Sequence, residues 1–177
     1  MTTNILLAGS GGQGILFAGK FLSYAGLLEG KEVSWLPSYG PEMRGGTANC
    51  SVILSDAPIG SPIVQQPDVL IAMNLPSYLR FMPAVRPGGI LFSDSSLVSE
   101  HCVRADITVI ELPATQMAYD EELEGLANMI LIGRMLKETA LAAPETVERA
   151  MAKCVPPAKT AMLELNLRAI SLGLAGK

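Results

Sequence analysis

Residues 4–28 read NILLAGSGGQGILFAGKFLSYAGLL, and the fold follows from how this stretch divides. Asn4-Ile5-Leu6-Leu7-Ala8 is a short apolar run, Gly9 to Gly14 is a glycine loop, and Ile15, Ala18, Leu22 and Ala25 then recur at helical spacing as far as Leu28. The pattern is strand, glycine turn, helix. Working outward, Lys31 to Leu36 reads as a second strand and Pro37 to Gly46 as a long loop punctuated by glycine and proline. Ala48 to Leu54 is a third strand with β-branched content, and residues 59–66 are irregular. Val69 to Met73 is a strand of the buried kind, and Pro76 opens a helix that runs to Val85. Ile90 to Ser93 follows the Pro87-Gly88-Gly89 turn, and Ile107 to Leu112 supplies a further strand.

From Thr115 the pattern is helical, over about 115–124, 126–141, 145–154 and 157–173, with Pro144 and Pro156-Pro157 as punctuation. Strands alternating with helices predict an α/β protein, with a largely parallel sheet covered on both faces and a helical C-terminal region. The expected form is one three-layer α/β/α domain over residues 1–177. In such a sheet the loops after residues 8, 36, 73, 93 and 112 gather on the carboxyl edge, where open α/β sheets bind ligands. The last helix carries Ala158, Ala161, Leu165, Ala169 and Leu172 on one side and Leu163, Leu167, Ile170 and Leu174 on another. It is expected to be buried on both sides, within the domain or against a neighbouring chain.

Composition narrows the function classes. The net charge of −4 and the absence of a Lys/Arg cluster exclude the electrostatic footprint of a nucleic-acid binder. The longest apolar stretch, Ile5 to Leu28, is broken by glycines, Gln13 and Lys20, so no membrane span is expected. Cys50, Cys102 and Cys154 are odd in number and far apart, which gives neither a metal knuckle nor a disulfide framework. With no basic leader and no cleavage site after the first apolar run, the expected compartment is the cytoplasm. Charged residues are only 17% against 49% hydrophobic, below the usual charged share of about 25%. Part of the surface is therefore expected to face something other than water, a subunit interface or simply an alanine-rich exterior.

Gly9-Ser10-Gly11-Gly12-Gln13-Gly14 contains G-x-G-x-x-G between strand and helix, the physical requirement for an anion site at a helix N-terminus. A nicotinamide dinucleotide also needs an acid at the end of the second strand, and Ser34-Trp35-Leu36-Pro37 has none. An anion site and a structural turn or docking loop both remain open. Gly14 to Lys20 satisfies G-x-x-x-x-G-K, but Phe21 follows where a magnesium-binding Ser or Thr should stand, and the run lies inside the helix. Ser38-Tyr39-Gly40-Pro41-Glu42-Met43-Arg44-Gly45-Gly46 mixes turn formers with one acid and one base. Either Arg44 forks onto an anionic group with Glu42 holding it, or the loop is exposed with an incidental ion pair. His101-Cys102 are neighbours in the chain and poorly placed to share a proton. Ser93-Asp94-Ser95-Ser96 reads as a strand-end turn and helix cap.

Together G-S-G-G-Q-G at 9–14, W-L-P-S-Y-G-P-E-M-R-G-G at 35–46, Leu112-Pro113-Ala114-Thr115 and the run from Ala127-Asn128-Met129 to Gly133 resemble, in order, the gamma subunit of 2-oxoacid:ferredoxin oxidoreductases. The second of these motifs is the specific one. Pro41 and Met43 bring it closer to the 2-oxoglutarate and branched-chain enzymes than to the pyruvate enzymes. The resemblance implies oxidative decarboxylation of a 2-oxoacid with coenzyme A to an acyl-CoA, with electrons passing to ferredoxin. It implies alpha and beta subunits as partners, and a ferredoxin-like delta subunit in some assemblies. Thiamine diphosphate, magnesium and iron–sulfur clusters then belong to those chains and none to this one. By the same resemblance Gly9, Gly11, Gly12, Gln13 and Gly14 form one ligand- or partner-facing loop and Tyr39, Gly40, Glu42, Arg44 and Gly45 the other, with no catalytic residue and no metal ligand here. The competing reading is a free-standing Rossmann-like nucleotide sensor.

Overall fold

A computed structural model describes residues 1–38, 47–101 and 103–176. Six strands form one sheet in the order β2-β3-β1-β4-β5-β6, where β1 is Thr2–Ser10, β2 Glu32–Ser38, β3 Thr47–Ser55, β4 Val69–Ala72, β5 Ile90–Asp94 and β6 Thr108–Leu112. The half made of β1, β4, β5 and β6 is parallel. The other half departs from the parallel expectation, because β3 runs antiparallel to both β1 and β2. The reason is length: the connection between β2 and β3 is far shorter than the dozen or more residues a parallel crossover needs. Since β3 reverses the direction, β2 ends on the same edge as β1. Pro37 lies inside β2 rather than in the loop, opposite Cys50. A proline is tolerated there because β2 is an edge strand.

The period-2 alternation of β1 divides the core. Ile5 and Leu7 join Cys50, Val52 and Leu54 of β3, Ile71 of β4 and Phe92 of β5 on one face, while Leu6 joins Leu70, Ala72 and Leu91 on the other. The first face is covered by α1 (Ile15–Leu28) and by α3 (Ala114–Asp120), α4 (Ala127–Thr139) and α5 (Pro144–Cys154). The second is covered by α2 (Leu75–Phe81) and the following single turn Met82–Ala84, with Tyr78, Val85 and Val98 packed against the strands. The layers are thus three but unequal, and on the α2 side the β2–β3 half carries Ser34, Ser51 and a half-exposed Leu36.

The last helix, α6 (Thr160–Ala175), packs outside α4. Its contact is backbone on backbone. A Cβ at Gly133 would run into the Ile170 carbonyl, and one at Gly173 into the Ile130 carbonyl, with the Arg134 nitrogen at 2.6 Å. Two glycines facing each other let the axes approach until main chains touch, which seats Ala169 and Ile170 at 0% and 1% exposure. Within the chain the burial is one-sided. Asn166, Ala169, Ile170 and Gly173 are buried, whereas Ala158, Ala161 and Leu165 face outward. A glycine crossing concentrates the contact in one narrow stripe, so the opposite stripe has no neighbour within the chain.

Candidate functional site

The carboxyl edge of the sheet collects the glycine loop after β1, Asn74 after β4, Asp94 at the end of β5 and Thr115 after β6. Residues 10 and 47 are paired across β1 and β3, and 38 and 49 across β2 and β3. One anchor of the segment 39–46, Thr47, therefore stands beside the glycine loop, and the other, Ser38, one strand further out on the same edge. Tyr39, Gly40, Glu42, Arg44 and Gly45 lie outside the described residues, as does Cys102.

The loop is fastened by its own side chains. Gln13 Oε1 accepts from the Ser10 N–H at 2.6 Å, and Gln13 Nε2 donates to the Met73 carbonyl at 2.9 Å. Asn74 Nδ2 donates to Ser10 Oγ at 2.5 Å, while Asn74 Oδ1 caps α2 by accepting from the Ser77 N–H at 2.9 Å. The crevice between the ends of β1 and β4, where an open α/β sheet admits a dinucleotide, is thereby crossed by hydrogen bonds. Gly14 is the N-cap of α1 at φ 72, a left-handed conformation that glycine adopts without strain. Its carbonyl accepts from Asn128 Nδ2 at 3.0 Å, and a Cβ on Gly14 would collide with that amide. Asn128 Oδ1 is buried without a hydrogen-bond partner among the described residues.

Gly11 and Gly12 are left outermost in the loop. They border an apolar cleft of about 300 Å³ with Ser10, Gly14, Leu16 and Phe17. A second cleft of about 300 Å³ opens on the other side, lined by Gln13, Met73, Leu97, Thr115, Tyr119 and Glu124. No acidic residue occupies the first turn of α1, so its N-terminal dipole is available to a negative group.

Asp94 is fully buried, and its carboxylate accepts from the Ser96 N–H and from the Thr115 N–H and Oγ1, the last at 2.5 Å. It ties the β5 turn to the start of α3, the turn-and-cap role expected of Ser93 to Ser96. Sequence reasoning did not find the roles of Asn128 or of the Asp94–Thr115 bond, whose partners lie 114 and 21 residues apart. Asn74 was legible in principle: an Asn two positions before a proline is a helix-start signal. His101 binds the Glu111 carboxylate at 2.9 Å and has no described cysteine contact.

The thiols bear on metal chemistry. Burial pushes Cys50 up to about 12, against the opposing hydrogen bonds from Trp35 and Gly19, and pushes Cys154 up to about 11. Both are buried and outside any disulfide. Among the described residues no group of three His, Cys, Asp or Glu side chains is arranged to hold a metal ion, and no helix is long and apolar enough to cross a membrane.

Residues 4–176 match the family described as pyruvate ferredoxin/flavodoxin oxidoreductase. The chain is 36% identical over 176 residues to the 2-oxoglutarate synthase subunit KorC of Methanocaldococcus jannaschii, covering 98% of this chain and 92% of that one. It is 37% identical over 171 residues to the ketoisovalerate oxidoreductase subunit VorA of Methanothermobacter thermautotrophicus, covering 96% of this chain but only 35% of VorA. The chain thus spans about a third of the length of that relative. Among solved structures, the keto/oxoacid ferredoxin oxidoreductase gamma subunit from Geobacter sulfurreducens superposes with a TM-score of 0.83 at 29% identity, over 98% of this chain and 96% of that one.

Proposed function

The chain belongs to the pyruvate ferredoxin/flavodoxin oxidoreductase family, and from that premise we propose that it is the gamma subunit of a 2-oxoacid:ferredoxin oxidoreductase acting on 2-oxoglutarate. It works by completing the active-site edge of an alpha and beta pair. The observation that supports this reading is where the flanks of residues 39–46 stand: Thr47 pairs with Ser10 at the start of the glycine loop, and Ser38 lies one strand further out, opposite Asn49. The two motifs then act as one surface. Gln13, Asn74 and Asn128 hold the glycine loop in shape without a ligand, which suits a surface offered to a partner or to a coenzyme bound largely by other chains. In the second motif Tyr39, Glu42 and Arg44 bring polar side chains and Gly40 and Gly45 none.

The complex uses thiamine diphosphate with magnesium, an iron–sulfur cluster, and coenzyme A as co-substrate, with electrons leaving to ferredoxin. Those groups supply the decarboxylation and the electron transfer. Those groups are assigned to the other chains, in keeping with the described residues, among which no group of three His, Cys, Asp or Glu side chains is arranged to hold a metal ion. This chain's own contribution is to bind, orient and exclude water at the edge. The protein works in the cytoplasm, with its thiols reduced.

Reconstitution tests this reading. Turnover of 2-oxoglutarate with coenzyme A and ferredoxin is expected only when this chain is combined with its alpha and beta subunits. In that complex Arg44→Ala is expected to raise KM for the anionic substrate or coenzyme about tenfold with kcat little changed. Iron–sulfur absorbance that survives gel filtration of the pure chain would overturn the assignment of roles.

A further inference from the structure

Away from the glycine loop, α1 and the edge strand β2 enclose a separate cleft of about 290 Å³, lined by Lys20, Ser23, Tyr24, Leu27, Val33 and Trp35. It shares no residue with either cleft described above. We infer that this cleft is a binding site for a small aromatic or branched-chain monocarboxylic acid, with Lys20 pairing the carboxylate and Tyr24 and Trp35 walling the apolar part.

The Trp35 indole stands beside the buried Cys50 thiol, both against Gly19, and is still 39% exposed. Gly19 makes room for this: a Cβ there would meet Cys50 Sγ and stand 2.9 Å from Trp35 Nε1. Ser23 Oγ is committed to the Gly19 carbonyl at 2.8 Å, so it is not a donor for the ligand. The remaining lining is apolar, with Leu27 57% exposed.

The charge is the selective element. Lys20 Nζ lies 5.8 Å from the centre of the Tyr24 ring, and among the described residues it forms no salt bridge, unlike Lys31, which pairs with Asp56. Cys154 lies close enough to feel its charge but is a neutral thiol and offers no counter-ion. A single cation beside aromatic and aliphatic walls is complementary to one carboxylate carried on one apolar body. The Gly19-Lys20 pair that completes G-x-x-x-x-G-K therefore has a use unrelated to phosphate: the glycine seats the indole and the lysine supplies the charge.

Trp35 is the only tryptophan in the sequence, so emission from the full chain reports on this cleft directly. Phenylacetate is titrated near neutral pH beside 2-phenylethanol, its uncharged counterpart, and acetate, the bare carboxylate. A saturable change in emission is expected for phenylacetate, about tenfold weaker binding for the alcohol, and no saturation for acetate. Lys20→Met is expected to bind phenylacetate only as well as the alcohol, and Lys20→Arg to restore the preference, with far-UV circular dichroism checking that both fold. Equal affinity for acid and alcohol, an unchanged titration in folded Lys20→Met, or no saturable response in the full chain would each overturn the inference.

Discussion

Helix α1 presents two regions built on opposite plans. At its N-terminus the glycine loop spends its polar groups internally, with Gln13 bridging Ser10 and Met73 and Asn128 holding the Gly14 carbonyl. Midway along the same helix the Lys20 cleft has largely apolar walls and a cation with no carboxylate partner among the described residues. Each region carries a glycine pattern in its sequence, and the two commit their polar side chains differently. A glycine pattern states where the backbone can bend or be approached; what the region does depends on where the neighbouring polar groups are already committed.

The sharpest way to break the contrast is through α4, which supplies Asn128. Gly173→Val drives side-chain atoms into the α4 backbone at the glycine crossing and is expected to lower the unfolding free energy by about 3 kcal/mol, measured by urea titration. If α4 holds the loop, amide exchange at residues 12–15 should quicken in the same variant. Exchange left unchanged would mean that the loop stands without α4.

Gln13→Leu comes next. It removes both bonds of the bridge and leaves the Ser10 N–H and the Met73 carbonyl to find other partners, at an expected cost of about 1–3 kcal/mol. A neutral result would place the glycine loop with the open cleft, as a surface its own side chains do not hold. Lys20→Met should instead leave stability within about 0.5 kcal/mol. A clear loss would show that the cation is already partnered, and the contrast would fail from the other side.

The smallest effect lies outside both regions. The Glu111 carboxylate raises the pKa of His101 through their hydrogen bond, and the charge of Glu100 adds to it. A raised folded-state pKa means that the stabilisation is fully present below about pH 6.5, the ordinary histidine value, and is lost as pH rises through the folded value. His101→Gln should remove this part of the pH dependence, read from unfolding midpoints on both sides of that range. The pair is exposed, so the change should be slight.

The strand, glycine loop and helix of residues 4–28 were legible because each is local: an apolar run, a glycine cluster and a 3.6-residue period. So were the five later strands, the end of β2 excepted, and the irregular 59–66 segment. The antiparallel β3 was not read out, although the short stretch before it made a crossover impossible. In α6 the apolar composition was read as burial on two sides, within the domain or against a neighbouring chain, and within the chain the Gly133–Gly173 approach seats one stripe and leaves Leu165 outside. Composition counts apolar residues, whereas burial depends on how closely the next backbone comes.

The sequence by itself determined the class of fold, the family resemblance and the two glycine-bearing segments, because these rest on residue order and on periodicities within a few turns of chain. Only the tertiary structure decided that Thr47, at one flank of the segment 39–46, stands beside the glycine loop, that Asn128 clamps Gly14, and that Lys20 and Trp35 share a cleft. Those are meetings between residues separated by 15 to 114 positions, and a side chain's partner across such a distance is set by strand register and helix packing, which no local pattern encodes.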